Sequence, residues 1–219
     1  MKILALEFSS PRRSVAVARR HPDGTIELLA QRQETGGRSS RAMSLIEECL
    51  AEARIGREEI DCLAVGLGPG SYTGIRASLA LAQGWHLARG TKVVGLTSFE
   101  LLTHQARSAG IPGPVAFAID AQRHEFYFGE SDLAPGPARA GEPFRIVAAA
   151  LVSDAVAGGL VVLSPDATLI PGAREFFPEA EAAAILAASR NEFRAPEDLE
   201  PIYLRAVSFV KSAPPRTEY

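Results

Sequence analysis

A glycine-rich segment in the first half of the chain has residue types that suit anion binding. It spans Gly66–Arg76, with the sequence GLGPGSYTGIR, and it continues an apolar run. A strand, a glycine turn and a helix start, in that order, aim backbone N–H groups at a negatively charged ligand. Glycine permits positive φ and close approach, and hydroxyl side chains cap helices. The segment predicts a nucleotide or anion loop, or else a tight turn capped by Ser71 or Thr73.

This loop departs from the two common phosphate-binding patterns. It lacks the Gly-Lys-Ser/Thr of a P-loop, and Arg76 is the basic residue nearest to it. It also lacks the dinucleotide-binding spacing, in which an acidic residue follows about 20 residues later. The candidate residues of the nucleotide or anion loop are Gly68, Gly70, Ser71, Thr73, Gly74 and Arg76, together with the carboxylates Glu7 and Asp120.

Glu7 and Asp120 are a candidate pair of carboxylates. Each ends an apolar strand that is followed by a polar turn and a returning strand. The repeated plan predicts two similar half-domains, although two ordinary hairpins would give the same pattern. Facing each other across a cleft, the carboxylates would orient a hydrated Mg²⁺ or a water nucleophile. The alternative is that each accepts hydrogen bonds from the N–H groups of its own turn.

No residue pattern predicts a catalytic centre or a metal site in this chain. The four histidines show no i, i+4 or His-x-Glu spacing. Ser71 lacks the Gly-x-Ser-x-Gly context of a hydrolase nucleophile, because Thr73 stands two residues after it. We therefore predict no catalytic residue and no metal ligand.

The composition is that of an ordinary globular protein, of one larger domain or two small ones. The chain has 219 residues, 47% hydrophobic and 22% charged, with a formal net charge of −3. A negative balance is a poor basis for holding a phosphate backbone unaided. Cys49 and Cys62 are predicted to be buried thiols. An early acidic residue and the lack of a long apolar run predict no signal or membrane segment, so we expect a cytoplasmic protein.

Alternating apolar segments predict an α/β fold with mixed sheets and crossover helices. Strands are predicted over Lys2–Phe8, Ser14–Ala18, Thr25–Ala30, Cys62–Leu67, Lys92–Gly95, Pro114–Asp120 and Glu125–Glu130. Helices are predicted over Ser40–Arg54, Tyr72–Arg89, Glu179–Arg190 and Pro196–Val207, with Gly56 placed to end the first.

The helix over Tyr72–Arg89 has apolar residues around most of its circumference. Such a helix is buried on both sides. Small residues such as Ala80 and Gly84 would also let another helix backbone approach closely. The pattern predicts either a subunit interface or a central core helix.

Four stretches of the sequence together resemble the TsaB family. They are Ile3–Ser10, Gly68–Arg76, Ala118–Tyr127 and Pro201–Arg205, in the order in which that family has them. TsaB proteins are bacterial subunits of the machinery that makes threonylcarbamoyladenosine in tRNA. The resemblance implies a two-lobed actin-like ATPase fold, related to ribonuclease H. We expect one half over residues 1–104, with the glycine loop and interface helices, and a second half over residues 105–219.

The resemblance also implies a non-catalytic scaffold that pairs with a TsaD-like catalytic subunit and with itself. A TsaE-like ATPase joins such pairs, tRNA is reached only through the complex, and no membrane is involved. No cofactor is expected in this chain, whereas ATP and a metal ion are expected in the partner subunits. By the family's pattern the first two helices face the partner. The candidate interface residues are Met43, Glu47, Leu50, Arg76, Ala80, Gln83, Gly84 and Leu87.

Three positions bear on whether this chain does chemistry of its own. Thr97–Leu101 stands where TsaD-like chains have two metal-binding histidines. Glu7 replaces the usual aspartate, and Val161–Asp166 lacks the glycine of the adenosine loop in related proteins. The longer Glu7 side chain would displace a carboxylate by about 1 Å, enough to spoil a metal–phosphate geometry. The alternative function is an autonomous actin-like ATPase or small-molecule kinase that uses Glu7 and Asp120 around Mg-ATP.

Overall fold

The fold was determined as a computed structural model that describes residues 1–36, 41–133, 142–190 and 193–204. The strands are β1 (Lys2–Glu7), β2 (Arg12–Arg20), β3 (Ile26–Thr35), β4 (Cys62–Gly66), β5 (Lys92–Leu96), β6 (Pro114–Asp120), β7 (Glu125–Asp132), β8 (Glu142–Ala148), β9 (Val161–Ser164) and β10 (Arg174–Glu175). The helices are α1 (Ala42–Ala53), α2 (Tyr72–Arg89), α3 (Ser98–Ser108), α4 (Ala149–Ala157) and α5 (Ala180–Ala188).

Two five-stranded mixed sheets share one topology. The first has the order β3-β2-β1-β4-β5 and the second has the order β8-β7-β6-β9-β10. In each sheet the first three strands in sequence are antiparallel neighbours, and the last two run parallel to the first. The prediction of an α/β fold with mixed sheets is confirmed, and the shared strand order supports the predicted repeat.

Both faces of the first sheet are covered by helices. Leu4 and Leu6 of β1 pack with residues of α1 and α2 on one face, and Ile3 and Ala5 pack against α5 on the other. A strand that is covered on both sides reads as a continuous apolar run, which is how β1 appears in the sequence.

Helix α5 returns the chain from the second sheet to the first. It follows β10 in sequence but packs on β1 and β2, with Ala183, Ala184 and Ala187 fully buried. Alanine side chains let this helix lie close to the sheet. The predicted division after residue 104 falls within α3, and it stays a prediction.

Helix α3 joins the two sheets through aromatic packing. The ring of Phe99 meets Phe117 of β6 and Phe144 of β8 edge-on, with ring centroids 5.6 Å and 5.5 Å apart. Such edge-to-face contacts are favourable beyond the area they bury. Leu101 packs under the first sheet while Leu102 packs under the second, so α3 belongs to both cores.

The cysteines are buried, as predicted, and neither forms a disulfide. Burial raises the pKa of the Cys49 thiol to about 11 and that of Cys62 to about 12. Among the described residues, no helix has both the length and the apolar character to cross a membrane.

The predicted helix over Pro196–Val207 is wrong for the described part of that segment. A short 3-10 turn covers Pro196–Asp198, and the chain from Leu199 to Leu204 is not helical. Leu199 is buried in the first core, and the N–H of Ile202 donates to the carbonyl of Leu67 at 2.9 Å. These tertiary contacts replace the hydrogen bonds of a helix. Residues 205–207 lie outside the described part.

Two other helix expectations differ in detail. α1 begins at Ala42 and ends at Ala53, and the left-handed residue that caps its end is Arg54, with a φ of 55°, rather than Gly56. Ser40, its predicted first residue, lies outside the described part. α3 was not predicted, although Thr97 and Glu100 form the capping box that marks its start.

Candidate functional site

The glycines of the loop let it pack against the chain's own backbone. A Cβ atom on Gly70 would lie 2.1 Å from the carbonyl oxygen of Ser9, and one on Gly74 would lie 1.8 Å from that of Phe8. The N–H of Ser71 donates to the Ser9 carbonyl at 2.6 Å. The loop therefore covers the end of β1, and Gly70 and Gly74 allow the two backbones to lie this close together.

The remaining polar groups of the loop bind α3 and cap α2. The N–H of Ser98 donates to the Gly68 carbonyl at 2.7 Å, and the Ser98 hydroxyl donates to the Pro69 carbonyl at 3.0 Å. The hydroxyl of Ser71 accepts from the N–H of Gly74 at 3.3 Å. Both the capped turn and the close packing predicted for glycine are present. Thr73 is exposed on the first turn of α2, and an anion-binding role for the loop stays a prediction.

Glu7 is buried beneath this loop. It has no exposed surface, and its Oε1 accepts from the N–H of Ser9 at 2.6 Å, while Oε2 has no hydrogen-bond partner within the part of the chain that the structure describes. Burial is the main cause that raises the pKa of Glu7, to about 6. The hydrogen bond to Ser9 matches the alternative in which the carboxylate holds its own turn.

An open cavity of about 470 Å³ lies between the two halves. Its walls come from the β1–β2 turn, the glycine loop, the ends of β6 and β9, and the segment around Tyr203. Asp120 lines this cavity, and Glu7 does not. The expected pairing of Glu7 with Asp120 across a cleft is thus wrong in geometry, because β1 ends beneath the glycine loop and hides its carboxylate.

Asp166 is the carboxylate that accompanies Asp120 in the cavity. The N–H of Asp120 donates to Oδ2 of Asp166 at 2.9 Å. Burial, followed by the nearby negative charge of Asp120, raises the pKa of Asp166 although the hydrogen bond opposes this. Asp166 ends the segment Val161–Asp166 and is not among the site residues predicted from the sequence. The feature of the sequence that could have identified Asp166 is its place as a carboxylate after an apolar strand, which resembles the place of Asp120.

The turn between β6 and β7 has an unusual backbone. Gln122, Arg123 and His124 have φ values of 64°, 61° and 61°, in the left-handed region that residues with a side chain rarely occupy. The carboxylate of Asp120 accepts from both the N–H and the side-chain amide of Gln122, each at 2.8 Å. Asp120 therefore holds a strained turn at the edge of the cavity.

Three motif residues form a cluster, of which Tyr72 and Tyr203 line the cavity. The rings of Tyr72 and Tyr203 lie 5.3 Å apart at 32°, and the guanidinium of Arg76 lies 5.1 Å from the centre of the Tyr72 ring. Arg76 also donates to the Tyr72 hydroxyl. The pKa of Tyr203 is raised, and partial burial is the main cause. We call Tyr72, Tyr203 and Arg76 the tyrosine cluster.

The outer surface of α2 carries most of the predicted interface residues. Ile75 and Leu79 point into the core, whereas Ala80, Gln83 and Gly84 are exposed on the opposite side. The helix is therefore neither sealed inside the chain nor wholly exposed. We call the exposed surface of α1 and α2 the α1–α2 face.

A shallow apolar groove of about 320 Å³ runs along this face. It is lined by Met43, Arg57, Ala80, Leu81, Gly84, Trp85, Ala88 and Arg89. Beside it, Leu87 is 85% exposed. Large apolar side chains that are this exposed, next to an apolar groove, are typical of interaction surfaces.

Three of the predicted interface residues have surroundings that differ from those of the exposed residues of the groove. Leu50 is only 4% exposed and packs in the core of the first sheet, so its placement at the surface is wrong. Glu47 is exposed and forms an ion pair with Arg57 at the edge of the groove. Arg76 is exposed but belongs to the tyrosine cluster, at the other end of α2 from Leu87.

Comparison with known proteins places the chain in a family. The family model for TsaD, tRNA N6-adenosine threonylcarbamoyltransferase, matches residues 35–185. A TsaB protein of Haemophilus influenzae is 34% identical over 130 residues. The chain belongs to this family, among its TsaB members. The Haemophilus match covers 59% of the chain and 53% of the relative, and a TsaB protein of Escherichia coli is 30% identical over 59% of the chain and 54% of the relative.

The chain spans about half the length of these curated TsaB relatives. Among solved structures, YeaZ from Pseudomonas aeruginosa superimposes with a TM-score of 0.73 at 24% identity, covering 93% of this chain and 99% of that one. This similarity shows the fold, and the predicted α/β fold with mixed sheets and crossover helices is confirmed.

Two segments that depart from the TsaB and TsaD pattern have structural roles here. Thr97 caps α3 by accepting from the N–H of Glu100 at 3.1 Å, and Glu100 accepts in return from the N–H of Thr97 at 2.8 Å. Val161–Ser164 forms β9, after which Pro165 and Asp166 line the cavity. Within the described residues, no group of three or more histidine, cysteine, aspartate or glutamate side chains is placed to hold a metal ion.

Proposed function

We propose that this chain is a non-catalytic scaffold subunit of the machinery that forms N6-threonylcarbamoyladenosine in tRNA. It pairs through its α1–α2 face with a TsaD-like catalytic subunit and, in the absence of that subunit, with itself. The observation that supports this most is the exposed apolar groove on α2, with Leu87 beside it.

The residues of the groove suit helix-on-helix docking. Ala80, Gly84 and Ala88 recur every four residues and form one row along α2. Apart from the backbone of α2 itself and the two chain neighbours, no atom of the described residues lies within 4 Å of the position that a Cβ would take on Gly84, so a partner backbone has room to approach. Packed helices lie about 8–10 Å apart, and the shorter distances need small residues of this kind.

Larger apolar side chains at the edges of the groove would supply most of the binding energy. Met43 is 43% exposed and Leu87 is 85% exposed, and Trp85 borders the same groove. Removing apolar surface from water contributes about 25 cal/mol per Å² before the costs of association. The charged pair Glu47–Arg57 would remain at the polar rim, where it contributes to orientation more than to affinity.

The proposal assigns ATP and metal chemistry to the partners. Glu7, which stands at the position that related proteins use near metal and phosphate, is buried outside the cavity. Asp120 and Asp166 inside the cavity would repel a polyphosphate. A TsaE-like ATPase joins the pair, and tRNA is bound by the assembled complex, in keeping with the formal charge of −3 on this chain.

The experiment is a pair of substitutions on the face, Ala80→Arg and Gly84→Trp. Both positions are exposed, so we expect unchanged thermal unfolding of the monomer, since neither side chain enters the core. Multi-angle light scattering of the chain, alone and mixed with the TsaD-like subunit, should show monomers in place of pairs. Ala150→Arg, on an exposed position of α4, is the matched control and should leave pairing intact. An unchanged mass for the Ala80→Arg mixture would contradict the proposal.

A calorimetric titration of ATP and Mg²⁺ into the isolated chain separates the scaffold from an autonomous kinase. We expect no binding at micromolar ATP. Tight binding that is lost in Asp120→Ala would favour the kinase and overturn the scaffold assignment.

A further inference from the structure

The lining of the cavity between the two halves combines aromatic rings with carboxylates. Tyr72 and Tyr203 line it, as do Asp120 and Asp166. Its volume of about 470 Å³ is in the range of small-molecule sites. None of these four residues belongs to the groove of the α1–α2 face.

The tyrosine pair has the features of a stacking platform. Tyr72 is 54% exposed and Tyr203 is 45% exposed, which leaves ring surface free although the rings contact each other. Planar nucleobases stack on exposed aromatic side chains, and this contact accepts any base. Arg76 adds a positive charge beside Tyr72 and is not part of the cavity lining, so it is placed to meet the sugar–phosphate of a nucleotide whose base stacks on the rings.

The carboxylates decide which chemical groups can enter. Both oxygens of the Asp120 carboxylate already accept from Gln122, whereas the Asp166 carboxylate accepts at Oδ2 from the backbone N–H of Asp120. Ionised carboxylates only accept hydrogen bonds. Arg13, the arginine that lines the cavity, is paired with Glu34 at 3.5 Å. The interior therefore attracts N–H donors and repels phosphate.

Guanine has the base edge that fits a carboxylate best. Its N1–H and N2–H groups are adjacent donors, so that a carboxylate accepts from both at once. Adenine and cytosine place one amino group beside an acceptor nitrogen, and uracil places one N–H between two carbonyls. The acceptor atoms of those three bases would face the negative interior.

We propose that this cavity binds an unpaired guanine base, which stacks on Tyr72 and Tyr203 and donates from its N1–H and N2–H groups to the carboxylate of Asp166. Any attached phosphate stays outside, beside Arg76. The site is independent of pairing through the α1–α2 face, and the base can come from a free nucleoside or from single-stranded RNA.

The test is a titration of the full chain with each of guanosine, adenosine, cytidine and uridine. Binding is measured by ligand-observed NMR or calorimetry. We expect guanosine to bind at least tenfold more tightly than the other three nucleosides. Tyr203→Ala and Asp166→Asn should each weaken guanosine binding at least tenfold. Tyr203 is exposed, and an asparagine at 166 can still accept from the N–H of Asp120, so both variants should fold.

Leu169→Ala is the matched control, because Leu169 is 57% exposed and is not part of the cavity. It should bind guanosine as the parent chain does. Equal affinity for all four nucleosides, no binding of guanosine at millimolar concentration, or unchanged binding in Asp166→Asn would each overturn the proposal.

A second arm identifies the source of the base. A uridine heptamer with one central guanosine is compared with the same heptamer carrying a central adenosine. Preference for the guanosine heptamer supports an RNA base, whereas binding of guanosine alone supports a free nucleoside. Light scattering of Tyr203→Ala with the TsaD-like subunit should show normal pairing, so failure of this site and failure of the scaffold proposal give different results.

Discussion

Oε2 of Glu7 lies 1.8 Å from the point that a Cβ atom would occupy on Gly66. The glutamate is fully buried, and Gly66 ends the neighbouring strand β4. Because the strands β1 and β4 are paired, the missing side chain at 66 makes the space that the longer carboxylate needs. Glu7, which departs from the aspartate of TsaB-like relatives, is accommodated by a glycine on the next strand.

Gly66→Ala should lower the free energy of unfolding by about 1–3 kcal/mol, the usual cost of overpacking a core. In a Glu7→Ala background the same change should cost much less, because the clashing carboxylate is gone. Urea denaturation of the parent chain, Gly66→Ala, Glu7→Ala and the double variant measures the coupling energy between residues 7 and 66. Gly84→Ala, with no atom within 4 Å and a helical position, is the control and should be stabilising. Equal costs of Gly66→Ala in both backgrounds would refute this relationship.

The stability of the chain should depend on pH through Glu7. Burial raises its pKa from 4.5 to about 6, so the folded state binds this proton more tightly than the unfolded state. The stability contributed by the protonated group is present below about pH 4.5 and is lost as the pH rises through about 6. The loss amounts to about 2 kcal/mol, from 1.36 kcal/mol per pKa unit.

Glu7→Gln removes this titration. Its stability relative to the parent should rise by about 2 kcal/mol between pH 4.5 and pH 7.5, measured by urea denaturation at both values. Glu130→Gln, at an exposed position of β7, is the matched control for the chemical change. A stability difference that is the same at both pH values would show that Glu7 does not titrate between them.

The left-handed turn after β6 predicts a stabilising substitution. Arg123 has a φ of 61° and an exposed side chain, and a side chain in this region costs about 1–2 kcal/mol. Arg123→Gly should therefore raise the free energy of unfolding by about 1 kcal/mol. Arg174→Gly, in the exposed strand β10, should lower it instead. The idea of strain fails if both variants shift the thermal unfolding midpoint downward.

Leu50 and Leu87 separate core packing from pairing. Leu50→Ala should cost about 2–5 kcal/mol of stability, because the side chain is buried among the residues of the first core. Leu87→Ala should change stability by less than about 0.5 kcal/mol but weaken pairing with the TsaD-like subunit. Denaturation and light scattering on both variants provide the comparison. A large loss of stability in Leu87→Ala would place that residue in the core.

The elements that the sequence predicted well carry strong local signals. The helix over Tyr72–Arg89 was predicted with the bounds that it has, since Ser71 caps its start and Gly90 ends it with a φ of 68°. Strand β6 was likewise predicted from Pro114 to Asp120. The segment after Pro196 has the same kind of helix-start signal, but its backbone binds Leu67 instead.

The candidate interface residues also divide into those that local spacing could place and those that it could not. Ala80, Gly84 and Leu87 could be placed on one surface from helical spacing alone, because a helix repeats every 3.6 residues. The burial of Leu50 could not be predicted in this way. Which side of α1 packs against the first sheet is decided by the rest of the fold, and Leu50 lies on that side.

The sequence by itself determined the alternation of strands and helices, the repeated half and the apolar surface of α2, since caps and periodicity act between residues that are close in the chain. Only the tertiary structure decided that Glu7 is hidden, that Asp120 lies beside Asp166, and that Tyr72 meets Tyr203. Those outcomes depend on which strand ends and loops pack together, and contacts between distant residues leave no periodic trace in the sequence.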